Sequence, residues 1–98
     1  ESAVRMCVSA ERTLLAELGG GCQAPVAAYA EYMDEIINIE AAVASLDGAE
    51  VIRKSYRGKG IPAEEAGRRL AEKMRNSPAR EILDEARYGA GPKGMGAA

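Results

Sequence analysis

The 98-residue chain has no histidine, tryptophan or phenylalanine, and it has only two cysteines, Cys7 and Cys22. The lack of histidine removes the usual zinc ligand and the usual general base, which excludes a zinc finger and a serine-histidine hydrolase. Two cysteines are too few for the disulfide framework of a small secreted domain. A helix from Cys7 to Leu18 would be about 16 Å long, and the short segment after it could hardly bring the two α-carbons within the roughly 7 Å that a disulfide requires. We therefore expect two free thiols and no metal site.

The chain also lacks a strong charge of one sign and a long apolar run. Fifteen acidic and thirteen basic residues give a net charge of -2, so no global positive field attracts nucleic acid or an anionic membrane. No apolar run approaches the roughly 20 residues that cross a bilayer, and the first residues do not resemble a signal peptide. We therefore expect one small cytoplasmic domain, too small to enclose a deep substrate cavity unaided.

Apolar residues at helical spacing predict a first helix from Val4 to Leu18. The predicted core stripe consists of Val4, Cys7, Val8, Leu14, Leu15 and Leu18. This stripe places Cys7 in the helix core, where its sulfur could not be presented to a ligand. The three glycines at 19–21 can end the helix in the left-handed conformation, so Cys22 is predicted to lie on a loop.

Three strand-like segments follow, at 25–32, 36–45 and 50–58, with Asp47-Gly48 as a hairpin signal between the last two. Pro62 opens a second helix that has acidic residues in its first turn and basic residues in its last. Ser77-Pro78 caps a third helix that runs to about Arg87. The sequence thus predicts an α+β domain at 1–88, in the order α-β-β-β-α-α. Its helices pack on one face of a three-stranded antiparallel sheet, and 89–98 form a flexible tail.

An ordered set of short motifs surrounds Cys22. Ala10-Glu11-Arg12 lies on the first predicted helix, Gly20-Gly21-Cys22-Gln23 follows that helix, and Pro25 opens the next strand. Further pieces follow in order: Tyr29-Ala30, Asp47-Gly48, Arg57-Gly58, Ala66-Gly67 and Leu70-Ala71. Over roughly 4–86 this combination resembles the C-terminal domain of the porphobilinogen deaminase (hydroxymethylbilane synthase) family. The chain departs from the family pattern at Glu35, where a hairpin glycine is common, and at 76–78, where a Gly-Ala pair is common.

This resemblance implies that Cys22 carries a dipyrromethane cofactor through a thioether bond. It also implies that the parent enzyme condenses four porphobilinogen units into hydroxymethylbilane, with release of ammonia, in haem and tetrapyrrole biosynthesis. The catalytic aspartate and most substrate-binding arginines of the family lie in other domains, so we expect no catalytic residue here and no activity of the isolated chain. The implied partners are those other domains, porphobilinogen and the growing bilane, and we expect a monomer.

The same residues also have plainer interpretations. A free cysteine is more often a packing residue than a nucleophile, although the glycines and Gln23 favour an exposed loop for Cys22. Glu11 lies at the centre of the stripe, where a carboxylate is costly unless it reaches solvent or a partner, and we expect it to face the rest of the parent enzyme. The basic residues at 53–59 could bind the carboxylates of a bilane. The more common explanation for such a stretch is a solvent-exposed strand whose charges prevent pairing with another strand.

Two other classes of protein fit the element order. A double-stranded RNA-binding domain also has the order α-β-β-β-α, but it needs a lysine-rich start to its second helix, where this chain has Glu64 and Glu65. A small protein-interaction module would need an exposed aromatic cluster, and the chain has only four tyrosines. Both remain alternatives to the cofactor-carrying domain.

Overall fold

A computed structural model describes residues 2–19 and 24–86 of the chain. The elements are α1 (Ser2–Gly19), β1 (Val26–Met33), β2 (Ile36–Ala44), β3 (Val51–Lys59), α2 (Ala63–Arg75) and α3 (Ala79–Asp84). The predicted order and the α+β class are confirmed, and each strand end lies within one residue of its predicted place. Alternating apolar residues and well-marked turns explain this agreement.

The three strands form an antiparallel meander in the order β1-β2-β3, as predicted. On β2 the buried residues alternate along the strand, and Ile37, Ile39 and Val43 are almost completely buried beneath the helices. The opposite face of the sheet carries the alternate residues, including Glu40 and Arg53, which are exposed. One face of the sheet is therefore open, as the sequence predicts.

Helices α1 and α2 cross closely, and Gly67 of α2 lies at the crossing. A Cβ atom at Gly67 would lie 2.6 Å from the carbonyl oxygen of Ala10 and 2.9 Å from the Cβ of Thr13, both on α1. Leu14 of α1 and Leu70 of α2 are fully buried beside this contact. Because glycine lacks a side chain, the two helix backbones can approach to this distance and bury a common core.

The buried face of α1 differs from the predicted stripe. Val4, Val8 and Leu15 are 65%, 37% and 39% exposed, whereas Ala10 is completely buried against α2. The prediction gave most weight to large apolar side chains, but a close helix crossing selects small ones. The three exposed residues are corrections to the sequence analysis, and their exposure leaves apolar surface on the outer side of α1.

The turn between β1 and β2 consists of two residues with positive φ angles, 55° at Asp34 and 65° at Glu35. A two-residue hairpin of this kind needs the left-handed conformation at both positions, and glycine adopts it most readily. This requirement gives a physical reason for the hairpin glycine that the family resemblance led us to expect at position 35. The carbonyl oxygen of Glu35 accepts a hydrogen bond of 2.9 Å from the amide of Gly60, which helps to hold the turn.

The predicted cap of the third helix is present, because the amide of Ala79 donates a hydrogen bond of 3.1 Å to Oγ of Ser77. The α-helical part of α3 ends earlier than predicted, at Asp84, and residues 85–86 continue it with wider π-type turns. The predicted end at Arg87, the domain boundary at 88 and the tail at 89–98 lie outside the described residues. Within 2–19 and 24–86, no helix has both the length and the apolar character that a membrane span requires.

Candidate functional site

The candidate site is the connection between α1 and β1, which contains Cys22. Position 22 falls between the end of α1 at Gly19 and the start of β1 at Val26, and it lies outside the described residues. Both described flanks of the connection are anchored, since Leu18 before it and Ala24 after it are buried in the core. The connection therefore begins and ends at fixed points of the domain, and the loop position of Cys22 stays a prediction.

An arginine from α2 lies at the end of α1 that leads into this connection. Nη1 of Arg75 is 3.6 Å from Oε1 of Glu17 and 3.5 Å from the backbone carbonyl oxygen of the same residue. The carbonyl end of a helix carries a partial negative charge, and a nearby cation offsets it by about 0.3–1 kcal/mol at the surface. Helix α1 has no basic residue in its own last turn. Packing brings Arg75 of α2 to this end of α1, although Arg75 and Glu17 lie far apart in the sequence.

Glu11 has a partner inside the domain. Its Oε2 accepts a hydrogen bond of 2.8 Å from the backbone amide of Ala30, in a partly buried position. Ala30 lies on β1, which in the described part of the chain is an edge strand beside β2. Hydrogen-bonded pairs alternate along β1 from the bond between the amide of Ala44 and the carbonyl oxygen of Pro25, so the amide of Ala30 points away from β2. Glu11 therefore has a partner within the domain, and its carboxylate ties α1 to the edge of the sheet. That Glu11 faces the rest of the parent enzyme stays a prediction.

The other edge of the sheet is blocked in a complementary way. Nζ of Lys73 on α2 donates a hydrogen bond of 2.7 Å to the backbone carbonyl oxygen of Ser55 on β3. A carboxylate thus covers an edge amide on β1, and an ammonium group covers an edge carbonyl on β3. Charged side chains at these places discourage pairing with a further strand.

Replacing Glu11 with alanine is expected to lower the free energy of unfolding by about 1–3 kcal/mol, because the amide of Ala30 loses its acceptor in a partly buried place. Glu11→Gln keeps an amide oxygen as acceptor and is expected to retain most of the stability. Lys73→Met removes a more exposed contact and should cost less than Glu11→Ala. Urea unfolding monitored by circular dichroism compares the three variants, and equal stability of Glu11→Ala and the unmodified chain would contradict the role given to this bond.

Cys7 is a free thiol, as predicted, but it is half-buried and lines a groove between α1 and the first hairpin. The sequence expectation that the helix core hides its sulfur is thus too strong. Burial raises the pKa of the Cys7 thiol, and the carboxylates of Glu11 and Glu31 raise it further. A raised pKa lowers the thiolate fraction at neutral pH, so Cys7 is a poor nucleophile.

The basic stretch of β3 divides between the two faces of the sheet. Arg53, Arg57 and Lys59 alternate onto the open face, and Lys54 points to the other side. In the part of the chain that the structure describes, none of the four forms an ion pair. This arrangement agrees with a solvated strand, and it leaves the binding of bilane carboxylates as a prediction.

A shallow basin of about 280 Å³ lies beside Arg53 on the open face, and Tyr29, Glu40 and Ser55 line it. The hydroxyl of Tyr29 donates a hydrogen bond of 3.1 Å to Oε2 of Glu31, and this bond raises the pKa of Tyr29. Over 2–19 and 24–86, no three acidic or cysteine side chains are grouped so that they could hold a metal ion.

A family model described as the porphobilinogen deaminase C-terminal domain matches residues 5–76. The match covers nearly all of α1, the whole sheet and α2, and it includes position 22. The observed order of helices and strands is the order that the residue pattern predicts. With well over half of its length matched, the chain belongs to the porphobilinogen deaminase C-terminal domain family.

Proposed function

We propose that Cys22 is the attachment point of the dipyrromethane cofactor in a full-length porphobilinogen deaminase. The observation that carries this proposal is the family match, which runs through the connection that contains Cys22. The one other cysteine of the chain, Cys7, lies on α1 with a raised pKa and is the weaker candidate. The parent enzyme would condense four porphobilinogen units into hydroxymethylbilane in the cytoplasm.

A thiolate suits the attachment step because sulfur is a soft and strong nucleophile. Porphobilinogen loses its amino group from a methylene carbon, and the sulfur of Cys22 bonds to that carbon. A carbon–nitrogen bond breaks, a carbon–sulfur bond forms, and the thiol proton leaves with the amine as ammonia. The thioether that results resists mild reduction and hydrolysis, so a primer attached there persists while further units are added and removed.

The described flanks of the connection fit a bulky covalent group. A Cβ atom at Gly19 would meet no atom of the described residues within 4 Å. The buried side chains of Leu18 and Ala24 hold the two ends of the connection in place. Glycines at 20 and 21 would allow the attached group to shift as the chain lengthens.

The remaining parts of the reaction fall to other domains in this proposal. The family resemblance identifies no carboxylate of this chain as catalytic, and the chain has no histidine to act as a general base. Its partners would be the other domains of the same polypeptide, porphobilinogen and the growing bilane. The 98-residue chain alone would form no hydroxymethylbilane and would carry no cofactor, because the site that activates porphobilinogen lies elsewhere.

Peptide mass spectrometry of the active full-length enzyme tests the proposal. The peptide that contains Cys22 is expected to carry the mass of a dipyrromethane group, and the peptide that contains Cys7 is expected to be unmodified. The 98-residue chain, incubated with porphobilinogen, should keep its unmodified mass and release no hydroxymethylbilane. An unmodified Cys22 in an active preparation, or a modified Cys7, would overturn the assignment.

A further inference from the structure

An ion pair joins the last turns of α1 and α2 at the place where the Cys22 connection begins. Nη1 of Arg75 is 3.6 Å from Oε1 of Glu17, and the two side chains are 41% and 38% exposed. Ion pairs as exposed as this one contribute little to stability, because water and salt screen the attraction. The main physical effect of Arg75 is therefore on the local charge rather than on the stability of the fold.

Core packing fixes the place of both charged residues. Leu18, next to Glu17 in the chain, is 1% exposed, and Met74, next to Arg75, is completely buried. The backbone at Glu17 and at Arg75 is thus held by the core, although both side chains reach solvent. The guanidinium group of Arg75 therefore stays within reach of the end of α1.

The last turn of α1 carries negative charge from two sources. Its unpaired carbonyl groups give a helix end about half a negative unit charge, and Glu17 adds a carboxylate. Helix α1 has no basic residue in its last turn, whereas α2 has two, Lys73 and Arg75. Lys73 bonds to the carbonyl oxygen of Ser55 on β3, but Arg75 turns to α1, where its Nη1 is also 3.5 Å from the carbonyl oxygen of Glu17. Arg75 thus brings a positive charge to the negative end of α1.

The charge at this end of α1 bears on the thiol that follows it in the chain. Cys22 follows Glu17 by five residues, so at most about 18 Å separate their α-carbons. A thiol reacts as its thiolate, and an ordinary thiol is mostly protonated at neutral pH. Uncompensated negative charge at the end of α1 would oppose ionisation further, and Arg75 offsets this charge.

We propose that Arg75 is a positioning residue for Cys22, because it holds the end of α1 and cancels the negative charge from which the connection departs. Cys22 then bonds to the methylene carbon of porphobilinogen faster than it would beside an uncompensated helix end. The inference rests on the proposed function, because it takes Cys22 as the attachment point of the cofactor. Arg75 acts through the charge at the end of α1 and takes no part in bond formation.

The test measures alkylation of Cys22 by iodoacetamide, an uncharged reagent, in cofactor-free full-length enzyme, by mass spectrometry of the Cys22 peptide. Arg75→Met, Arg75→Lys, Glu17→Gln and Lys59→Met are compared with the unmodified enzyme. Lys59→Met is the matched control, because it removes an equal charge near the opposite end of α1. Lys59 pairs in register with Ile36, which lines the groove beside the first turns of α1.

At about 0.01 M salt the screening length is about 30 Å, which exceeds the distance from Glu17 to Cys22. Under this condition Arg75→Met should react about twofold more slowly and Glu17→Gln about twofold faster, the size expected of one charge at this range in water. Arg75→Lys keeps the positive charge and should keep most of the rate, and Lys59→Met should stay within about 1.3-fold. At about 1 M salt, where the screening length is about 3 Å, these differences should disappear.

The opposite signs distinguish an effect of charge from an effect of structure. Arg75→Met and Glu17→Gln break the same ion pair, so a purely mechanical link would change the rate in the same direction in both variants, and the change would persist at high salt. Either result would overturn the proposal, and so would an unchanged rate of Arg75→Met at low salt or an equal slowing in Arg75→Lys or Lys59→Met.

The cofactor assignment is judged separately, by the mass of the Cys22 peptide in the active holoenzyme. A loaded Cys22 together with any of the contrary alkylation results would defeat the inference about Arg75 alone. An unmodified Cys22 in active enzyme would defeat the cofactor assignment itself.

Discussion

Replacing Cys22 with serine in the full-length enzyme is expected to abolish the attachment of dipyrromethane and with it the formation of hydroxymethylbilane. A serine hydroxyl is hardly ionised at neutral pH and is a much weaker nucleophile than a thiol, so the carbon–sulfur bond has no effective substitute. The substitution replaces one atom in a connection whose two ends are held by buried Leu18 and Ala24. We therefore expect the variant to fold, and its loss of loading to be chemical in origin.

Cys7→Ser is the matched control for this experiment. Cys7 is half-buried on α1, and the raised pKa of its thiol leaves little thiolate to react. Its replacement is expected to keep both cofactor loading and activity. Intact mass and the rate of hydroxymethylbilane formation measure the two variants side by side. Normal loading of Cys22→Ser, or a lost cofactor in Cys7→Ser with its fold intact, would contradict the assignment of the site.

Local sequence signals were sufficient for the element order and the strand ends. The Asp47-Gly48 turn is an example, since Gly48 has a φ angle of 76° and Oδ1 of Asp47 accepts hydrogen bonds from Oγ of Ser45 and the amide of Ala49. The conformation of such a turn depends on residues that are adjacent in the chain, so the sequence alone predicts it. The hydroxyl of Ser45 and the amide of Ala49 also lower the pKa of Asp47.

Contacts between distant parts of the chain could not be read in the same way. Ala10 is completely buried because Gly67, far along the chain, lets α2 approach it. Neither an alanine nor a glycine in the sequence indicates by itself that the two helices cross at these positions. The partner of Glu11 is a backbone amide of β1, which carries no side-chain signal in the sequence. The importance of Cys22 was inferred from the ordered motifs around it, since its own neighbours predict only a glycine-rich loop.

The contact between α1 and α2 leads to a large expected effect on stability. Gly67→Ala is expected to lower the free energy of unfolding by about 1–3 kcal/mol, the usual cost of forcing extra volume into a packed core. Alanine is favoured over glycine inside a helix by about 1 kcal/mol, so helix propensity alone predicts the opposite sign. The clash should prevail because the new Cβ would lie 2.6 Å from the carbonyl oxygen of Ala10 and 3.1 Å from the amide nitrogen of Leu14.

Backbone atoms cannot rotate away as a side chain can, so α1 must shift and loosen the contacts of Leu14 and Leu70. Gly19→Ala is the control, because a Cβ there meets no described atom within 4 Å and the change should stay within about 0.5 kcal/mol. Urea unfolding gives the free energies, and similar m-values would show that both variants unfold from an equally compact state. A neutral or stabilising Gly67→Ala would mean that the two helices lie further apart in solution than this crossing requires.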